Sequence, residues 1–230
     1  MGFLTKFFTN VFHENAPALA HNSFDHVSPA DLEAHLNVAR YGDFMLTEAI
    51  RPAFDLKVVP TQGFRHDSYQ DEQTKSNVPV LMAAVSSENL FEVFMDLIDP
   101  LGTEVDVVLE SSHDRDQTGH ADCYRECIDM PVLKSMLYDF EEMLTNDGCT
   151  GLAVLNPNIP LEVQFDEHKL LIVYGTNLAP FERVLESHGI YCDDELRFIT
   201  EAEHVHSSND EYVSRFSQLQ NRLGMDGGFC

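Results

Sequence analysis

The chain has 230 residues with 39 Asp and Glu against 14 Lys and Arg, a formal charge of −25 at pH 7. Nucleic-acid binding needs Lys and Arg to displace counterions from phosphates, and no window of this sequence carries the necessary basic stripe; anionic lipid is disfavoured for the same reason. Hydrophobic residues make up 43% of the chain, with 16 Phe, enough apolar material for one sizeable core or two small ones and too much for disorder throughout. A surface this acidic favours cationic partners, bound cations or salty surroundings. The five Cys (123, 127, 149, 192 and 230) are an odd number without a secretory leader, which predicts reduced thiols and a cytoplasmic location rather than a disulfide framework. No stretch approaches the ~20 apolar residues of a membrane span.

In chain order, Phe3, Leu4, Phe7, Phe8, Val11 and Phe12 recur at helical spacing and form one stripe. Membrane-surface helices carry several Lys and Arg on the polar side, and here Lys6 stands alone, so the cover expected for this stripe is the protein's own body, a second subunit or a protein partner. Ser28-Pro29-Ala30-Asp31 reads as a cap hydroxyl, a proline at the first helical position and an acid in the first turn, predicting a helix to about Arg40. A second helix is predicted from Asp43 to Ile50 and a short strand over 54–59, and the polar, aperiodic residues 60–76 read as a loop or linker.

From residue 78 the pattern sharpens. Val78–Val85 is a buried strand, Leu90 to Leu101 carries a helical stripe that Gly102 ends, and Val105, Val107 and Leu109 alternate as a strand. The same order returns in Leu170–Tyr174, in a helix through Phe181 and Leu185 closed by Gly189, and in a strand over Leu196, Phe198 and Thr200. Between these βαβ-like units lie a helix over Leu133–Leu144 and strands at 151–155 and 161–165, with Asp166-Glu167-His168 as a hairpin turn. Ser208-Asn209-Asp210-Glu211 reads as a capping box opening the last helix. The expected fold is α+β: a mixed, largely antiparallel sheet with packed helices, two βαβ-like units bracketing a helix and a β-meander, and a helical N-terminal prelude. The segments are an amphipathic N-terminus over 1–27, the prelude over 28–59, the loop or linker over 60–76, a core domain over 77–223 and a flexible tail over 224–230.

Two clusters could hold a metal. His120, Cys123 and Cys127, spaced three and four apart, would share one face of a helix as zinc-type ligands, with no fourth ligand named. The other lies at strand ends, where loops vary without disturbing a core: Glu110 and His113 follow one strand, and Glu203, His204 and His206 follow another. His204 and His206 face the same way in extended chain, and with His113 they offer three imidazoles, with Glu110 or Glu203 as outer partner or base. No nucleophile elbow, phosphate loop or dinucleotide fingerprint occurs, and acid pairs such as Asp166-Glu167 read as solvated turn charges. The catalytic residues stay unnamed and the leading expectation is no cofactor, with zinc as the alternative the two clusters leave open.

The element order from residue 131 onward (helix, three strands, helix, strand, helix) resembles that of small acidic secretion chaperones, and this resemblance of wiring implies partner-holding, with no residue carried over. The leading expectation is a non-enzymatic, acidic protein-interaction or chaperone-like domain whose contact surface includes Phe3, Phe7, Phe8, Val11 and Phe12. The alternative is a zinc-type metal-binding hydrolase or metal sensor using histidines at strand ends.

Overall fold

Ser28, Pro29 and Asp31 do open a helix: in α1 (Pro29–Leu36) the Ser28 hydroxyl accepts the Asp31 amide at 3.2 Å. The computed structural model describes residues 23–70, 77–113 and 121–225. The N-terminal stripe with Phe3, Phe7, Phe8, Val11 and Phe12, the residue His120 and the tail from 226 lie outside the described residues.

The helix expected from Asp43 is replaced by short strands, β1 (Arg40–Tyr41), β2 (Phe44–Met45) and β3 (Ile50–Pro52). Gly42, with φ +60, turns β1 onto β2, and Thr47 accepts the Ala49 amide at 3.2 Å, so local hydrogen bonds outcompete a helix. The loop expected over 60–76 also gives way: β4 (Gly63–Gln70) pairs residue for residue with β5 (Asn77–Ala84). Its alternation is faint because β4 is an edge strand, half-exposed beyond Phe64.

After β5 come α2 (Leu90–Leu97), β6 (Glu104–Ser111), β7 (Ala121–Asp129), α3 (Met130–Tyr138), α4 (Glu141–Asn146), β8 (Thr150–Leu155), β9 (Leu161–Phe165), β10 (Leu170–Gly175) and α5 (Ala179–Ser187). The chain closes with β11 (His204–His206) and α6 (Asp210–Leu223). Seven strands form one sheet in the order β4-β5-β10-β9-β8-β6-β7, every neighbouring pair antiparallel. The fold is therefore α+β, built on a mostly antiparallel sheet. β5 and β6 run the same way with three strands between them, so β5-α2-β6 is a long crossover. The second expected unit lacks its closing strand: Leu196 and Phe198 are buried in irregular chain leading to a 3₁₀ turn at Ile199–Glu201. The strand after α5 is instead β11, which pairs with β3 in a separate two-stranded ribbon, so the wiring departs there from that of the secretion chaperones.

One face of the sheet is covered by helices, and Leu81, Leu109, Val154, Phe165 and Val173 meet Phe94, Leu133, Phe181 and Leu219 in the main core. On the opposite face Phe44, Leu46, Ile50 and Phe198 pack on Val80, Met82, Leu170 and Ile172 as a second core. Helix α6 begins one residue later than the sequence suggests, its cap being Asn209, which accepts the Tyr212 amide at 2.9 Å, and Gly224 at φ +72 ends it. Among the described residues no helix is long and apolar enough to cross a membrane.

Candidate metal centre

The turn between β9 and β10 is held by one carboxylate. Asp166, only 2% exposed, accepts the Leu170 amide on Oδ1 at 2.7 Å, and Lys169 takes the left-handed conformation (φ 63) that closes the hairpin. The other oxygen of Asp166 accepts Nδ1–H of His168 at 2.9 Å. A carboxylate only accepts, so Nδ1 carries the proton in this contact.

Strand β11 supplies the other two imidazoles. His204 lies opposite Pro52 and His206 opposite Ile50, and their spacing of two turns both rings to the same side. Nδ1 of His204 donates to the Ala202 carbonyl at 2.8 Å, and Nδ1 of His206 donates to the Gly148 carbonyl at 2.7 Å. The chain beyond β11 threads between Ala49 and Gly148: the Ser207 amide donates to Ala49, and the Gly148 amide donates to Ser207, each at 2.8 Å. A Cβ on Gly148 would sit 2.4 Å from the Ala49 carbonyl oxygen, so only glycine fits.

These two anchorages bring three rings together. Centroids of His168, His204 and His206 lie 4.8–5.1 Å apart, and one ring nitrogen from each falls within 4.8 Å of the others. All three are partly exposed. Tetrahedral zinc holds imidazole nitrogens at about 2.0–2.1 Å, which would set them roughly 3.3 Å apart. Burial, then the charge of His168, pushes His204 down to about 4, and burial likewise lowers His206, so both stand neutral as a metal requires. Burial acts to lower His168 as well, but the adjacent Asp166 carboxylate overrides it and raises that imidazole above its ordinary value. On its inner side His168 borders a cavity of about 30 Å³ walled by Phe44, Leu46 and Phe198, room for a single water.

His204 and His206 thus come together as their spacing suggests, while His113 sits beside the trio rather than in it. Its Nε2–H donates to Asp147 at 2.8 Å, its Nδ1 takes the Ser111 hydroxyl at 2.7 Å, and its ring meets Phe216 edge-on. Asp147 is wholly buried; burial pushes its pKa up, but hydrogen bonds from His113, Ser208 and Thr150 outweigh this and hold it below the usual carboxylate value. Asp147 precedes Gly148, whose carbonyl orients His206, so His113 belongs to the scaffold behind the site. Neither acid considered as outer partner adopts that role: Glu203 accepts the Ser23 amide at 2.9 Å, and Glu110 is buried beside Gly151 with its pKa pushed up to about 9 by burial and neighbouring acids.

The His120, Cys123 and Cys127 cluster needed a helix, and residues 121–129 form strand β7. Opposite Asp106 the register slips by one residue, a bulge in which Cys127 takes φ 53 and its amide donates to Asp106 at 2.8 Å. Cys127 is therefore exposed, whereas Cys123 is 2% exposed in the helix-side core and disulfide-bonded, a correction to the expected reduced thiol that leaves no thiolate for a metal. Cys127, Cys149 and Cys192 are free thiols.

His168 is the member of the trio that sequence reasoning passed over, taking its segment as an exposed turn. A local signal existed: Asp166 two residues before a histidine at a strand end is the spacing at which a carboxylate can reach Nδ1. No family model, curated protein or solved structure matches this chain.

Proposed function

We propose that this protein binds one divalent transition-metal ion of the zinc type through Nε2 of His168, His204 and His206. The observation that supports this reading is the convergence of three imidazole nitrogens within 4.8 Å, each ring anchored through its Nδ1 to a carboxylate or a backbone carbonyl. Metal-bound histidines recurrently donate their second nitrogen in this way, because it fixes the ring and raises the basicity of the coordinating atom. Imidazole suits zinc, copper, nickel and iron(II), and an all-nitrogen trio lacks the oxygen ligands that magnesium or calcium takes. Three protein ligands leave a fourth position to water or an incoming group, which when the ion is bound supplies a Lewis acid and a water of lowered pKa.

Purified protein stripped of metal and titrated with zinc tests this reading. One ion per chain is expected, with binding abolished in the H204A/H206A double variant and retained in His113→Ala. Absence of stoichiometric binding by the wild-type chain, or equal binding by the double variant, would defeat it.

A further inference from the structure

A groove of about 580 Å³ opens where the end of α3, helix α4 and the start of α6 meet Met45 of β2 and Ser87. It shares no lining residue with the histidine trio. Glu141 and Glu142 in the first turn of α4 and Glu211 in the first turn of α6 line it, beside the rings of Tyr138 and Tyr212. Among the described residues none of these glutamates forms an ion pair. The lining cation, Arg215, is engaged elsewhere: its guanidinium donates to the Asp139 carbonyl and to Gln218 and lies 4.4 Å from the Phe140 ring centre. Burial, then the negative charges of Glu48, Glu142, Asp147 and Glu211, push the Tyr212 phenol up, so that ring stands in an anionic field.

Exposed acids alone are solvated charge, and what sets this groove apart is its wall of hydroxyls. Thr145 lines it at 8% exposed, and its hydroxyl oxygen is shut from water with no hydrogen-bond partner among the described residues. The Ser87 hydroxyl lines the same groove in the same state, while its amide is committed to the Met45 carbonyl at 2.8 Å. A buried hydroxyl left unpaired is destabilising, and each such group calls for whatever supplies the missing bond. Threonine in a helix has two accessible χ1 wells, so its hydroxyl can be redirected without moving the backbone.

We propose that this groove binds an aliphatic polyamine, a linear cation whose ammonium groups lie against Glu141, Glu142 and Glu211 and donate to the hydroxyls of Thr145 and Ser87. The spread of the charges selects the ligand. Among the described residues the side chains that converge within 4.8 Å as a metal-holding group are those of the histidine trio, so these carboxylates stand too far apart for one ion. Ammonium groups separated by methylenes match such spacing, and the tyrosine rings offer apolar edges to the methylenes and electron-rich faces to the cations. The volume falls within the roughly 300–1,000 Å³ typical of small-molecule sites.

The test dialyses the full-length chain against radiolabelled spermidine in about 0.15 M NaCl, where long-range attraction to the acidic surface is largely screened. Saturation at one spermidine per chain is expected, undisturbed by magnesium at equal ionic strength. The E142Q/E211Q double variant should bind roughly tenfold more weakly and Thr145→Val roughly threefold more weakly, with Thr145→Ser, which keeps a hydroxyl, binding as wild type. The E33Q/E195Q double variant removes the same charge from exposed acids outside the groove and should bind as wild type. Binding that does not saturate, displacement by magnesium, equal weakening by the two double variants, or equal binding by Thr145→Val and wild type would each overturn the proposal. Preference for tetralysine over spermidine would do so too, marking the groove as a surface for basic peptides.

Discussion

Replacing Glu162 by Gln should remove a large share of the protein's sensitivity to alkaline pH. The carboxyl lies on β9, 4% exposed, and accepts the Gln164 side-chain amide; burial raises its pKa from 4.5 to about 8. The native state therefore keeps a proton that the unfolded chain releases. Its contribution to stability is complete below pH 4.5, declines as pH rises, and is exhausted once pH passes the folded value. The slope approaches about 1.4 kcal/mol per pH unit, so wild type should lose about 2–3 kcal/mol between pH 5 and 7 through this group, within an upper limit of about 5 kcal/mol for the whole shift. Gln is isosteric with the neutral acid and still accepts from Gln164. Other groups titrate in the same window: His204 and His206 add stability as pH rises, and His168 removes it above its ordinary value. The difference between variant and wild type cancels these. Urea unfolding at half-unit steps from pH 5 to 8 should show Glu162→Gln gaining on wild type throughout. A difference that is flat with pH, or that shrinks, would refute the claim that a buried, protonated carboxyl occupies this position.

Asp166→Asn keeps an acceptor for the Leu170 amide but removes the charge behind His168, and zinc affinity should fall about 10–100-fold, read by competition with a chromophoric chelator; an unchanged constant would dismiss Asp166 as the orienting group. Gly148→Ala drives a methyl into the Ala49 carbonyl, so it should cost about 1–3 kcal/mol in urea unfolding and also weaken zinc binding by displacing the partner of His206. Phe94→Ala should cost about 3–5 kcal/mol while leaving the metal stoichiometry of folded protein intact, since Phe94 is wholly buried against Phe165 at 5.1 Å on the helix side of the sheet.

What the sequence revealed follows from which interactions are local. Val78–Val85 is apolar on both faces because β5 is central, and α2 is legible because its stripe packs on one side only. Strand β4 was hidden since an edge strand with His66, Asp67 and Ser68 exposed in succession lacks the alternation of a half-buried one. Cys123 and Cys127 were read at helical spacing, whereas they lie on strand β7, where a single-residue bulge that leaves no mark in the sequence reverses the alternation between them. For the site, the spacing of His204 and His206 was a local fact, and their rings lie 5.1 Å apart. The identity of their neighbour was not: it depends on β11 leaving the main sheet to pair with β3, which carries the two rings to the β9-β10 turn and leaves His113 to Asp147.

In the proposed site, the acidity of the chain and the neutrality of His204 and His206 would act on different parts of one binding event. Imidazoles bring no charge to a dication, so unlike a thiolate site this one leaves the ion's charge uncompensated by its ligands. Compensation would fall first to Asp166, one hydrogen bond behind the ring of His168, and at longer range to Asp147, which bonds His113 and precedes the Gly148 that holds His206. Both carboxylates are almost fully buried, so water and salt screen them less than the acids of the surface. The surface acids act at longer range, concentrating cations around a chain of charge −25. Because each ring is already held by its Nδ1 contact, the ordering that a free histidine side chain would undergo on binding, a cost on the order of 0.5–1.5 kcal/mol each, is met in folding. If the proposed site binds an ion, two neutral imidazoles and a third held by Asp166 would favour ions that bond strongly to nitrogen and give no matching advantage to hard cations, which the surface carboxylates attract without geometric preference.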